Sequence, residues 1–209
     1  MNEESSDSRK KVKLLIATSN LHKIRECKAI LAPLNHLDLL SLRDFPGYIP
    51  PEETGVSFEE NAILKAVHAA KALQIWALAD DSGLVVPSLK GAPGVYSARY
   101  AGKNATDSEN RKKLLDVMQH LSEDDRTSYF FCSIALASSD GLKKCVSGIC
   151  EGKILTKERG GGGFGYDPLF VKHEYSKSFA ELEESVKNRI SHRRKALDKM
   201  MIVLENIFS

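Results

Sequence analysis

Two adjacent carboxylates, Asp80 and Asp81, follow the apolar run Ile75-Trp76-Ala77-Leu78-Ala79 and precede a Gly- and Pro-rich stretch from Ser82 to Gly102. An apolar run of that length predicts a short buried strand, and Ser82-Gly83 predicts its turn-permissive end. The pair is thus expected where a rigid element hands over to a loop, the usual place for chemistry. An isolated Asp-Asp pair also makes a good turn cap; the rest of the chain decides between the two. A second acidic segment, Glu52-Glu53-Thr54-Gly55, lies one helix upstream. Carboxylates from two separate loops suit Mg2+, which takes oxygen ligands, keeps several waters and is completed by substrate phosphates. Glu53, Asp80 and Asp81 are therefore the candidate metal ligands.

Cationic and polar residues that suit a phosphorylated partner recur around these acids. Thr18-Ser19-Asn20-x-x-Lys23 follows an apolar strand and opens a helix, so hydroxyls, free backbone N–H groups and a lysine one turn in face the same point. Such a helix N-terminus favours an anion, although N-capping alone explains the same residues. Asn61 and Lys65 are spaced i, i+4 and face a common target. The run Gly160–Gly163, continued by Phe164-Gly165-Tyr166-Asp167, formally contains G-x-G-x-x-G, but Asp167-Pro168 and a strand follow it where a dinucleotide fold needs a helix. It is expected instead to be a flexible loop that presents Phe164 and Tyr166 to a flat ligand. Ser191-His192-Arg193-Arg194 opens the last helix with cations that oppose its dipole, so a ligand carbonyl or phosphate is expected there, with Lys187 just upstream.

These groups must be placed by a mixture of helices and strands. Val12–Ala17 predicts a strand, Leu21, Ile24, Cys27 and Leu31 a helix, and residues 37–42 a second strand. Ser57-x-x-Glu60 and Thr106-x-x-Glu109 are capping-box signatures for helices reaching about Leu73 and Leu121. Asp140-Gly141 between two apolar segments predicts a hairpin, so part of the sheet is antiparallel. A further strand is expected over 168–171 and a final amphipathic helix after Ser191. The interleaving of helices and strands predicts an α/β fold with a mixed sheet.

At 209 residues the chain fits one domain, expected over 12–209 after a solvated N-terminal tail, residues 1–11. A net charge of +2 gives no long-range case for binding nucleic acid or a membrane surface. No apolar run approaches the length of a membrane span and the N-terminus has no apolar core of a signal peptide. Cys27, Cys132, Cys145 and Cys150 form no C-x-x-C and no zinc spacing, which predicts a reduced, cytoplasmic protein.

Taken in order, TSNLHK at 18–23, EETG at 52–55, FEENAILKA at 58–66, ADDSGL at 79–84, GAPGVYSARYAG at 91–102, GGFGYDP at 162–168 and SHR at 191–193 closely resemble the inosine triphosphate pyrophosphatase family. The resemblance runs from about residue 12 to 207. It implies Mg2+-dependent hydrolysis of non-standard purine nucleoside triphosphates, ITP, dITP and XTP, to monophosphate and pyrophosphate. It also implies two lobes of a long mixed sheet around a central cleft, and a homodimer. By motif, Asp81 would be the general base or metal-linked carboxylate, with Asp80 and Glu53 helping to hold Mg2+ and the attacking water. Thr18, Ser19, Asn20, Lys23 and Lys65 would meet the triphosphate and Ser82 the sugar-phosphate region. Phe164, Gly165, Tyr166, Asp167, Lys187, His192 and Arg193 would meet the nucleoside end, with His192 and Arg193 donating to O6 of the base. Ser19 stands where the family commonly has glycine, and the glycine run is longer than usual, so loop shape is left open. A catalytically silent purine-nucleotide-binding module and a pyrimidine-directed pyrophosphatase are the alternatives. Three nearby carboxylates, which would repel a polyanion without a metal, favour the hydrolase.

Overall fold

The computed structural model describes residues 11–208. The expected N-terminal tail lies, but for Lys11, outside the described residues. Six strands form one mixed sheet: β1 (Val12–Ile16), β2 (Leu37–Ser41), β3 (Trp76–Val85), β4 (Thr127–Ser138), β5 (Gly141–Ile154) and β6 (Phe170–Lys172), in the order β2-β1-β3-β4-β5-β6. β1 pairs with β2 and β3 in parallel, and the pairs from β3 to β6 are antiparallel. Five α-helices flank the sheet: α1 (Leu21–Leu31), α2 (Phe58–Leu73), α3 (Asp107–Val117), α4 (Glu184–Ile190) and α5 (His192–Phe208). The α/β class, the hairpin at Asp140-Gly141 and the mixed sheet are as the sequence predicts. Helix α4 was not foreseen, and α3 ends at Val117, four residues short of the expected Leu121.

Strand alternation sorts the core. On one face Leu14, Ile16, Leu78, Cys132, Ile134 and Leu136 pack against α1 and α5. On the other, Leu15, Ala17, Ala77, Ala79, Ala135 and Ala137 meet the alanine stripe of α2, Ala62, Ala66, Ala69 and Ala70. Small residues on both sides bring the α2 backbone close to the sheet. Farther along β3 and just past its end, Leu84 and Val86 join a second apolar cluster with Leu114, Phe130, Phe170 and Phe179. Along one face of β3 the sequence therefore runs Leu78, Asp80, Ser82, Leu84: core, two polar residues, core. The polar gap between the clusters lies beneath a cleft that Ser82 lines and under which Asp80 is buried.

β3 does not end at Ala79, as its apolar run suggests. It continues through Asp80, Asp81, Ser82 and Gly83 because each pairs with β4, Asp81 opposite Ser133 and Gly83 opposite Phe131. Gly83 serves close approach and not a turn: a Cβ there would collide with the Ser97 hydroxyl and come within 2.7 Å of the Gly94 carbonyl, on the 3-10 turn Gly94–Arg99. On its other edge β3 loses its neighbour, since pairing with β1 stops at Ile16 and Leu78, followed only by Ala17 N–H donating to Leu78 O at 2.8 Å. β1 then turns into α1, and the edge of β3 at Asp80 and Asp81 is left open.

Gly148 on β5 lets the first turn of α5 lie directly on the sheet. A Cβ there would strike the His192 carbonyl and approach the Ala196 nitrogen to 2.5 Å. Backbone cannot step aside as a side-chain tip does, so Gly148→Ala is expected to destabilise by about 1–3 kcal/mol. Urea unfolding measures this, and an unchanged midpoint would show that α5 is free to shift.

Candidate active site

A cleft of about 350 Å3 is lined by every candidate residue except Asp80. Its phosphate-suited end is the N-terminus of α1. Asn20 is the N-cap: its Oδ1 accepts from the N–H groups of His22 and Lys23 at 2.9 and 3.2 Å, while Thr18 Oγ1 accepts from Asn20 N–H at 3.2 Å. Both capping and an anion-suited helix end are present, with Lys23 reaching into the same space.

Asp80 and Asp81 are neighbours on a strand, so they point to opposite faces and do different things. Asp80 faces α1 and α5 and is 1% exposed. Its carboxylate is ringed by donors: Lys23 Nζ at 2.5 Å, Arg193 Nε at 2.8 Å, Ser82 Oγ at 3.0 Å and Cys132 Sγ at 3.0 Å. Burial alone would raise its pKa, but Arg193 and Lys23 overcome that and hold it well below the ordinary carboxylate range. Asp80 is thus a buried, fully partnered anion, and its expected part in a metal site is corrected by its surroundings.

Asp81 faces α2. Its Oδ1 accepts from Lys65 Nζ at 3.0 Å and its Oδ2 from the Asn61 amide at 3.3 Å. The same Lys65 ammonium lies 2.8 Å from Glu53, whose other oxygen is 3.5 Å from Arg99 Nη1. Burial is the main cause of a raised pKa at Asp81, with Glu53 adding to it and Lys65 and Lys23 opposing. Two carboxylates from different elements therefore converge on one cationic atom, the arrangement a divalent cation also requires. Among the described residues no group of three or more His, Cys, Asp or Glu is placed to hold a metal ion. Glu53 and Asp81 fit a cation that keeps waters and takes its remaining oxygens from substrate, as Mg2+ does.

The opposite end of the cleft is formed by the glycine-rich loop and the start of α5. Phe164 stands partly exposed at its edge, its N–H donating to Asp167 Oδ2 at 2.8 Å. Asp167 also accepts from Lys187 Nζ at 2.6 Å, and its pKa is raised by burial despite that lysine. Lys187 is shared with Glu26 at 2.8 Å; burial works against its charge, but the two carboxylates raise its pKa. His192 stacks on Phe130 at 4.7 Å, and burial together with Arg193 and Lys187 pushes its pKa well below the usual imidazole value, so its ring is neutral.

Two expectations for this end are corrected. Tyr166 is not presented by the loop; it is 4% exposed in the distal core, its hydroxyl donating to the Ser97 carbonyl at 2.9 Å. Arg193 is fully buried, with Nε and Nη2 on Asp80 and Ser82 and Nη1 paired to Glu26, so its guanidinium is occupied by protein acceptors and not aimed at a ligand. These partners also resolve the cation at the α5 N-terminus, where Arg194 N–H is capped by Ser191 Oγ at 3.2 Å. Glu26, Arg99, Ser97 and Phe130 escaped the sequence reading. Arg99 lay in a quoted motif beside an acidic loop; Glu26 looks like any charged helix residue until α5 is folded onto it.

The family model of the Ham1 family matches residues 14–203. A dITP/XTP pyrophosphatase of Protochlamydia amoebophila is 60% identical over 197 residues, 94% of this chain and 99% of the relative. The dITP/XTP pyrophosphatase of Chlamydia caviae is 51% identical, over 94% of this chain and 96% of its own length. Among solved structures, a HAM1 protein from Coxiella burnetii superposes with a TM-score of 0.84 at 41% identity, covering 93% of this chain and 99% of that one. The Staphylococcus aureus Ham1 protein gives 0.82 at 40%, over 93% and 98%. The motifs, the cleft and near-full-length matches on both sides all lead to the same place: this chain belongs to the Ham1 family.

Proposed function

We propose that the protein hydrolyses dITP, ITP and XTP to the monophosphate and pyrophosphate with Mg2+, clearing non-standard purines from the cytoplasmic nucleotide pool, and that it works as a homodimer. The observation that carries this is the convergence of Glu53 and Asp81 on Lys65 beside an anion-suited helix end, with an aromatic ring at the far end of the same cleft. Phosphoryl chemistry needs positioning and charge neutralisation more than a protein nucleophile. Lys23 and Lys65 supply cationic charge to the triphosphate. Glu53 and Asp81 would hold Mg2+, which would supply charge neutralisation that two lysines alone do not provide. Asp81, made more basic by burial, orients water toward the α-phosphorus and accepts its proton.

Base selection follows from hydrogen-bond polarity. Hypoxanthine and xanthine carry an acceptor at O6 and a donor at N1, where adenine has the reverse. The far end of the cleft holds a neutral His192 beside the Lys187 ammonium and the Asp167 carboxylate, a donor and an acceptor that are paired with each other at 2.6 Å and would re-pair with the base. Adenine, with the opposite polarity at both positions, cannot take up that pairing and would be rejected strongly. Phe164 provides the surface on which the ring stacks.

Product analysis tests the reading. ITP with Mg2+ is expected to give pyrophosphate and IMP, and EDTA to abolish turnover. Orthophosphate and IDP as first products, or equal kcat/KM for ITP and ATP, would overturn the assignment of reaction or of base.

A further inference from the structure

The backbone that carries Phe164 is pinned on all sides. Phe164 N–H donates to Asp167 at 2.8 Å; Gly165 N–H donates to Asp107 Oδ2 at 2.7 Å, and Gly165 O accepts from Arg111 Nη1 at 2.8 Å. Asp107 and Arg111 belong to one face of α3, so Gly165, the residue after Phe164, is held through both its N–H and its carbonyl. What these bonds leave open is the rotation of the Phe164 side chain itself. Phe164 forms a wall between the cleft and a smaller pocket of about 200 Å3 behind it, and His22 lines only that rear pocket.

His22 supplies the aromatic contact on that ring. Its imidazole stacks on the Phe164 ring with centroids 5.0 Å apart and planes 14° from parallel. His22 is exposed in the first turn of α1, the helix whose N-terminus faces the phosphate end, and the cap of that helix is the Asn20 side chain and not His22. Such a stack on the protein surface adds little to folding, but together with Lys187 Nζ, 4.5 Å from the ring centroid, and Arg193 Cζ, 5.9 Å from it, it restricts the orientation of the Phe164 ring.

We propose that His22 is a positioning residue for the nucleobase: it backs Phe164 from the rear pocket so that the other face of the ring is presented to the cleft, and it ties the base-stacking ring to the helix that meets the phosphates. The proposal rests on the purine triphosphate reading above. It accounts for an aromatic ring on α1 that neither the chemistry nor the core uses.

The test compares His22→Ala, His22→Gln and His22→Phe in the full chain with dITP and Mg2+. Loss of an aromatic pair is expected to raise KM about 2–10-fold in the Ala and Gln variants while kcat stays within roughly twofold. His22→Phe restores KM, and inhibition by inorganic tripolyphosphate, which probes only the phosphate end, is the same in all four proteins. An unchanged KM in His22→Ala, restoration by Gln but not Phe, or tripolyphosphate inhibition weakening in step with KM would each overturn the proposal. Calorimetric binding of IMP gives the same comparison without turnover, so an unmutated protein that binds IMP but hydrolyses nothing overturns the hydrolase reading alone.

Discussion

Asp81→Asn is expected to lower kcat for dITP by about 10²–10⁴-fold, the usual worth of a positioned general base. Asn keeps the shape of a carboxyl group and can still meet Lys65 or Asn61, but it cannot take a proton from water. Thermal stability is expected to move the other way or not at all. Burial raises the pKa of Asp81 in the folded chain, so the stability linked to it is full below its unfolded value and is lost as pH rises through the folded one. At neutral pH an ionised Asp81 is therefore a burden to the fold, and a neutral Asn relieves it. In the unmutated enzyme the same raised pKa places the acid limb of kcat/KM above the range of an ordinary aspartate, activity falling as Asp81 takes up a proton. Steady-state kinetics and thermal melts on the same preparations check both signs. Near-normal kcat in a folded Asp81→Asn protein would remove Asp81 from the chemistry.

Arg193→Ala is expected to damage the fold before it touches specificity. Arg193 pairs with both Asp80 and Glu26, and all three groups are buried. Removing one partner of such a cluster leaves charges uncompensated, at a cost of about 3–5 kcal/mol, which corresponds to a Tm lower by roughly 6–20 °C for a chain of this size. Asp80 sharpens the pH dependence. Its folded pKa lies well below the unfolded value, so its contribution is present above the unfolded value and disappears as pH falls through the folded one. The variant is expected to lose much of that acid-side slope, because the guanidinium that depresses Asp80 is gone. A melting temperature unchanged from the parent, together with a collapse of the ITP to ATP preference, would instead return Arg193 to direct base recognition, the role its place after Ser191-His192 suggested.

The two aspartates show why some of the site was legible in the sequence and some was not. Their residue type and their place after an apolar run pointed to the cleft that Asp81 lines and under which Asp80 is buried. Their division of labour follows from one further fact, that β3 continues through them, since alternation on a strand then sends Asp80 toward α5 and Asp81 toward α2. Ser82-Gly83 obscured this, because small residues signal turns unless a partner strand and a close neighbour such as Ser97 require them. Tyr166 misled for a related reason: a glycine-rich loop suggests exposed side chains, but the backbone freedom of glycine was used to fold Tyr166 back into the core.

What the sequence determined by itself was local and chemical. Helix caps at Asn20, Ser57 and Thr106, the Asp140-Gly141 hairpin, the alanine stripe of α2 and the lysine and carboxylate motifs each act over a few residues, and each was found where its spacing put it. Those features specify the α/β class and collect the right residue types for a charged ligand. Which of these groups face the cleft and which are consumed by one another was decided only by tertiary structure. Arg193 lies 113 residues from Asp80 and 167 from Glu26, and no short-range pattern records which acceptors a folded chain will bring to a guanidinium. A charge buried on folding must find its partners within the protein, and that requirement turned two expected ligand contacts, Asp80 and Arg193, into the ion pair that supports the site.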